Sequence, residues 1–89
     1  MHVVAVESTA FATAGYDEVQ QLLQLEFCSG ELYHYFGVPL SVFEALLAAP
    51  SKGRYFHHAI LGRYQFVRLI SAPLTPHAEQ RGGVPWLGR

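Results

Sequence analysis

Eighty-nine residues, 51% of them apolar and 15% charged, are enough for one folded domain with a modest core and exclude a chain disordered throughout on compositional grounds. The formal net charge of −1 argues against a bulk polycation binder of nucleic acid, and the single Cys28 excludes an internal disulfide or a cysteine-cluster metal site. No apolar run reaches the length of a membrane span, and the stretch Met1 to Val6 lacks the basic start and long apolar centre of a secretion signal, so no membrane association and a cytoplasmic location are expected.

Val3 to Val6 is a short β-branched run, and Phe11 to Tyr16 reads as a second strand despite its alanines and Gly15. After a polar turn near Asp17 to Gln21, Leu23, Leu25 and Phe27 alternate with Gln24, Glu26 and Cys28, the period of a half-buried strand. Ser29-Gly30 reads as a two-residue hairpin turn and Glu31 to Phe36 as the return strand. That register places Leu23, Leu25, Phe27, Leu32, His34 and Phe36 on the core face. Tyr33 and Tyr35 then stand side by side on the polar face, unless a bulge shifts the pairing by one and exchanges the faces.

Gly37-Val38-Pro39 closes the strand. Ser41 to Glu44 has the spacing of a capping box at the start of a short helix that Pro50 stops. Ser51 caps a second helix over Lys52 to Leu61 with Gly62 just past its end. Its inward stripe is Tyr55, Phe56, Ala59 and Ile60, leaving Arg54, His57, His58 and Leu61 outward. A last strand is expected from Arg63 to Ile70, with Arg68 on the side of Tyr64 and Phe66 and therefore in need of an edge or an acid partner. Residues 71–89, rich in Pro and Gly, read as a tail whose one anchor is Trp86. The expected fold is thus α+β: residues 1–70 as a single domain with a small antiparallel sheet, built as a β-meander, two short helices and a final strand.

The charge is unevenly divided. Met1 to Glu44 carries six acids and no Lys or Arg, whereas Ala45 to Ala78 carries four Lys or Arg and no acid. Either the two halves neutralise each other within the fold, or the basic half presents a face to an outside anion. Its densest part, Ala49 to Tyr64, holds Lys52, Arg54, Arg63, His57, His58 and the rings of Tyr55, Phe56 and Tyr64. Guanidinium forks match phosphate oxygens and exposed rings stack on bases, so Lys52, Arg54, Arg63, His57, His58, Tyr33, Tyr35, Tyr55 and Tyr64 form the candidate ligand-binding set.

His57 and His58 are adjacent, hence about 100° apart on a helix, with no carboxylate nearby in sequence; no metal site is expected. Cys28 has no activating neighbour, His34 reads as a hydrogen-bonded core residue, and no pair of carboxylates suits acid–base work. No catalytic residue, enzyme activity or cofactor is therefore expected.

Gly15-Tyr16-Asp17, Phe27-Cys28-Ser29-Gly30, Tyr33-His34-Tyr35, Val38-Pro39 and Ala49-Pro50-Ser51-Lys52-Gly53-Arg54-Tyr55-Phe56, followed by Ile60 and Arg63-Tyr64, occur in an order that resembles the KTSC family over roughly Ser8 to Leu69. That domain is named for its place at the C-terminus of some lysyl-tRNA synthetases and is also found alone in bacterial and phage proteins. The resemblance implies an α+β domain and a suggested role in RNA binding. His57 and Leu61 depart from the family pattern, where Asn and Arg are expected. Two readings of function stand: a non-enzymatic module for RNA, single-stranded DNA or a phosphorylated nucleotide, or a protein-interaction or homo-oligomerisation domain in which Arg54 and Arg63 pair with acids such as Glu26 and Glu31.

Overall fold

A computed structural model describes residues 1–70; the tail expected over residues 71–89, with Trp86, lies outside the described residues. Five strands form one antiparallel sheet in chain order: β1 His2–Ala5, β2 Phe11–Asp17, β3 Leu22–Phe27, β4 Leu32–Phe36 and β5 Phe66–Ile70. Helices α1 (Leu40–Ala48) and α2 (Lys52–Ala59) occupy the connection between β4 and β5. The fold is α+β, as expected. Among the described residues no helix is long and apolar enough to cross a membrane.

Both helices pack on one face of the sheet. Phe43 and Leu46 of α1 and Phe56 and Ile60 at α2 close over Phe11, Ala14 and Tyr16 of β2, Leu23 and Leu25 of β3, and Tyr35 of β4. Phe56 sits at the centre, with its ring 5.4 Å from Phe11, 5.9 Å from Phe27 and 5.7 Å from Tyr35, all near edge-to-face. That is the arrangement favoured by opposed ring edges and faces. Phe43 stacks on Tyr16 at 5.1 Å, and the Tyr16 hydroxyl donates to the Val38 carbonyl, tying β2 to the segment that leads into α1. The same burial, with the charges of Glu18 and Asp17 as lesser causes, raises the Tyr16 phenol above its ordinary pKa. Gly15 lets the edge strand approach: a Cβ there would stand 2.8 Å from the Val3 side chain.

The β3–β4 register differs from the expected one. Phe27 and Glu31 close a three-residue loop, in which Gly30 N–H donates to the Phe27 carbonyl at 2.8 Å and Phe27 N–H to the Glu31 carbonyl at 2.8 Å. Gly30 takes a positive φ of 101°, which completes a turn one residue longer than Ser29-Gly30 alone. Leu23 therefore pairs with Tyr35, Leu25 with Tyr33 and Gln24 with His34. Tyr33 and Tyr35 lie on the core face, and His34 lies on the opposite one, where its Nε2 meets Gln24 Oε1 at 2.7 Å. The expected assignments of His34 to the core and of the tyrosines to the polar face are both corrected.

Two boundaries also move. Helix α1 starts at Leu40 with Pro39 as its N-cap and no side-chain cap bond, so the Ser41–Glu44 capping box is not formed. Gly62 at φ 79° turns the chain after α2, and the strand begins at Phe66 rather than Arg63. The cap expected at Ser51 is present, its hydroxyl accepting from Arg54 N–H at 3.4 Å.

Candidate functional site

Helix α2 and the turn that follows it carry most of the cations of the described residues. Ser51 starts the helix and Pro50 breaks it from α1, so the apolar stripe of Phe56 and Ile60 must face the sheet. Arg54, His57 and His58, one helical turn apart, consequently point to solvent and are exposed. Arg63 extends this face: its Nε donates to the His58 carbonyl at 2.9 Å, which satisfies a carbonyl in the last turn of α2 and fixes the side chain against the helix end. Nε is one of five N–H donors of a guanidinium, so the fork remains available to a ligand.

The candidate residues do not converge on a single pocket. Arg54, Tyr55 and His58 line a shallow cleft with Pro50 and Ser51. Lys52 lies in a second cleft opposite Glu7, Ser8 and Thr9, and its ammonium donates to the Ala49 carbonyl at 3.0 Å. Arg63 and Tyr64 line a third with Phe36, Phe66 and Val67. Tyr35 is 2% exposed with its ring against Phe56 of α2, and Tyr33 is half-buried among Phe27, Tyr35 and Phe66, so the pair expected to offer a stacking platform lies on the core face instead. Burial, with Tyr33 beside it as the lesser cause, pushes the Tyr35 phenol up to about 12. Tyr55 and Tyr64 are half-buried against the core.

The internal pairing offered for Arg54 and Arg63 is not formed, since no carboxylate of the described residues lies within ion-pair distance of either. Glu26 accepts from the Thr13 hydroxyl at 3.0 Å, and Glu31 meets Arg68 at 3.8 Å. Arg68 thus finds the acid partner that its position demanded. No group of three or more His, Cys, Asp or Glu side chains among the described residues could hold a metal.

Two residues absent from the candidate set stand out in the structure. Phe66 opposes Tyr35 and Arg68 opposes Tyr33 on the helix-covered face, yet α2 lays Phe56 over β2 to β4 and leaves Phe66 52% exposed. Their alternation in the last strand was visible in the sequence. What it could not reveal was that this strand forms the sheet edge, beyond the cover of the helix.

A family model described as KTSC domain matches residues 7–64. A solved KTSC domain protein from Yersinia pestis superposes with a TM-score of 0.72 at 30% identity, covering 76% of this chain and 96% of its own. A protein of Tsukamurella paurometabola is 45% identical over 64 residues, 72% of this chain and 96% of its own length. A lysine–tRNA ligase of Nostoc sp. is 52% identical over 54 residues, 61% of this chain. The chain spans about a tenth of the length of that ligase, 10% of it by alignment.

Proposed function

This chain belongs to the KTSC domain family, and we propose that it is a small non-enzymatic module that binds single-stranded nucleic acid, RNA foremost, through the outer face of α2 and the start of β5. One observation carries the reading: the segment from Ala45 to Ile70, which has no acid, folds so that Arg54, His57, His58 and Arg63 all face solvent on one helix and its following turn. A surface of this kind attracts a phosphate backbone even on a chain of net charge −1, because the field near a surface follows the local charges. Further support comes from the relatives, among which lysine–tRNA ligases carry a matching segment within enzymes named for acting on tRNA. A cytoplasmic place fits this reading.

Arg54→Ala and Arg63→Ala are each expected to weaken binding of a short labelled single-stranded RNA, measured by fluorescence anisotropy over a salt series. Each variant should lower the slope of log affinity against log salt by about 0.7, the loss of one phosphate contact on a single strand. Arg63→Ala should in addition cost about 1 kcal/mol of stability through its lost bond to His58. Unchanged affinity in both variants would reject this surface as the site.

The second reading, a protein-interaction or homo-oligomerisation domain, has support of its own. Among the described residues no element covers the sheet face opposite the helices, and Met1, Val3, Phe36 and Val67 are exposed apolar residues at its two ends. Sedimentation of the purified protein as a monomer across the micromolar range would dismiss self-association on that face.

A further inference from the structure

We propose that Phe66 is a shelf on which one unpaired nucleobase stacks, with Arg63 and Arg68 on either side of it to take the flanking phosphates. The inference rests on the nucleic-acid reading above and adds the subsite that would distinguish a strand of bases from a bare polyanion.

The geometry comes from the end of the aromatic ladder on the sheet. Tyr33 and Tyr35 stack on each other at 6.2 Å, and Phe66 packs against both at 5.7 and 5.6 Å. Phe27 and Phe56 hold the two tyrosines from behind. Phe66 is therefore braced on its inner side by rings that are themselves fixed in the core, while 52% of its surface faces solvent. A ring so held loses little side-chain freedom when a base covers it, and covering it removes apolar surface from water. A loose surface phenylalanine would forfeit part of that gain by becoming ordered.

Charge selects the occupant. Arg63 shares the cleft beside Phe66, and Arg68 follows two residues along the strand on the same face, opposite Tyr33. Arg68 is paired with Glu31 at 3.8 Å through Nη1 alone, and its side chain is 53% exposed. The remaining N–H donors of the guanidinium can take a phosphate, which has to compete with the Glu31 carboxylate for the charge. A flat aromatic surface flanked by two guanidinium groups suits a base with its phosphodiesters better than it suits an apolar peptide, which would leave Arg63 without a counter-charge.

The test uses the intact chain with two probes, a single-stranded RNA carrying 2-aminopurine and inorganic polyphosphate. Wild type should bind both and quench the 2-aminopurine by stacking. Phe66→Ala should weaken RNA binding by roughly 5- to 150-fold, the usual worth of one stacked base, and leave polyphosphate binding unchanged. Phe66→Tyr should restore the RNA affinity and the quenching. RNA affinity of Phe66→Ala equal to wild type would overturn the shelf alone. Equal loss of RNA and polyphosphate binding with an intact circular dichroism spectrum would also overturn it, because Phe66 would then be acting on the cationic surface as a whole. Wild type that binds polyphosphate but no RNA would overturn the nucleic-acid reading and the shelf together.

Discussion

Phe56→Ala is expected to remove about 3–5 kcal/mol of stability, the usual cost of emptying a buried phenylalanine site. The ring touches Phe11 of β2, Phe27 of β3 and Tyr35 of β4, and it is the side chain through which α2 is fastened to three strands. Its neighbours are themselves rings pinned by the sheet, so the space cannot collapse readily, and the upper part of the range applies. A folded unit of this length holds roughly 4–10 kcal/mol in all. The variant should therefore be largely unfolded at modest urea concentration, or lack a cooperative thermal transition. A loss of less than about 1 kcal/mol in urea unfolding would mean that α2 is not held to the sheet as described.

Raising the pH from 9 to 12 is expected to cost the domain about 2–3 kcal/mol, most of it through Tyr35. Burial is the main cause and the neighbouring Tyr33 the lesser one; together they lift the Tyr35 phenol to about 12 in the folded protein, against about 10 in the unfolded chain. The folded state thus favours the neutral phenol. Its contribution is fully present below pH 10 and is lost as the pH climbs through 12. Tyr16, raised by its burial first and then by Glu18 and Asp17, pushes in the same direction. The urea midpoint should hold steady to about pH 10 and then fall, and Tyr35→Phe, which has no proton to lose, should flatten most of that fall. An alkaline fall as steep in Tyr35→Phe as in wild type would place the cause elsewhere.

Much of the fold was legible in the sequence because hydrophobic period and turn residues agreed with the tertiary packing. Phe56 and Ile60 face inward while Arg54, His57 and His58 face outward and Ser51 caps the second helix, as local patterning required, but that helix ends at Ala59 rather than at the expected Leu61, and Gly62 lies in the turn beyond it. The hairpin register was harder, since it depends on one residue of loop length. Choosing Ser29-Gly30 as the whole turn put Tyr33 and Tyr35 outside; including Cys28 puts them inside. The tertiary structure settles the choice. The tyrosine rings have Phe27, Phe56 and Phe66 to pack on, whereas His34 finds Gln24 on the open side. The capping box fails for a similar reason: α1 begins at Leu40, one residue before Ser41, with the extended Pro39 in the N-cap place, so Ser41 stands inside the first turn and not at the cap.

The candidate site was legible as a set of residue types and less so as a place. The outward cations of α2 were evident from helical spacing, but the ring accessible beside them is Phe66 and not Tyr33 or Tyr35. Exposure of a ring on a strand depends on how far the covering helix reaches across the sheet, and no local pattern encodes that distance.

The most direct test of the central claim is an amide chemical-shift titration of the isotope-labelled protein with a short single-stranded RNA at low salt. Saturable shifts are expected to be confined to Arg54 through Arg68, strongest around His58, Arg63 and Phe66, with the amides of β1 unmoved. Shifts concentrated on Val3, Gln24 and His34 of the sheet face opposite the helices, or none at saturating RNA, would contradict that claim.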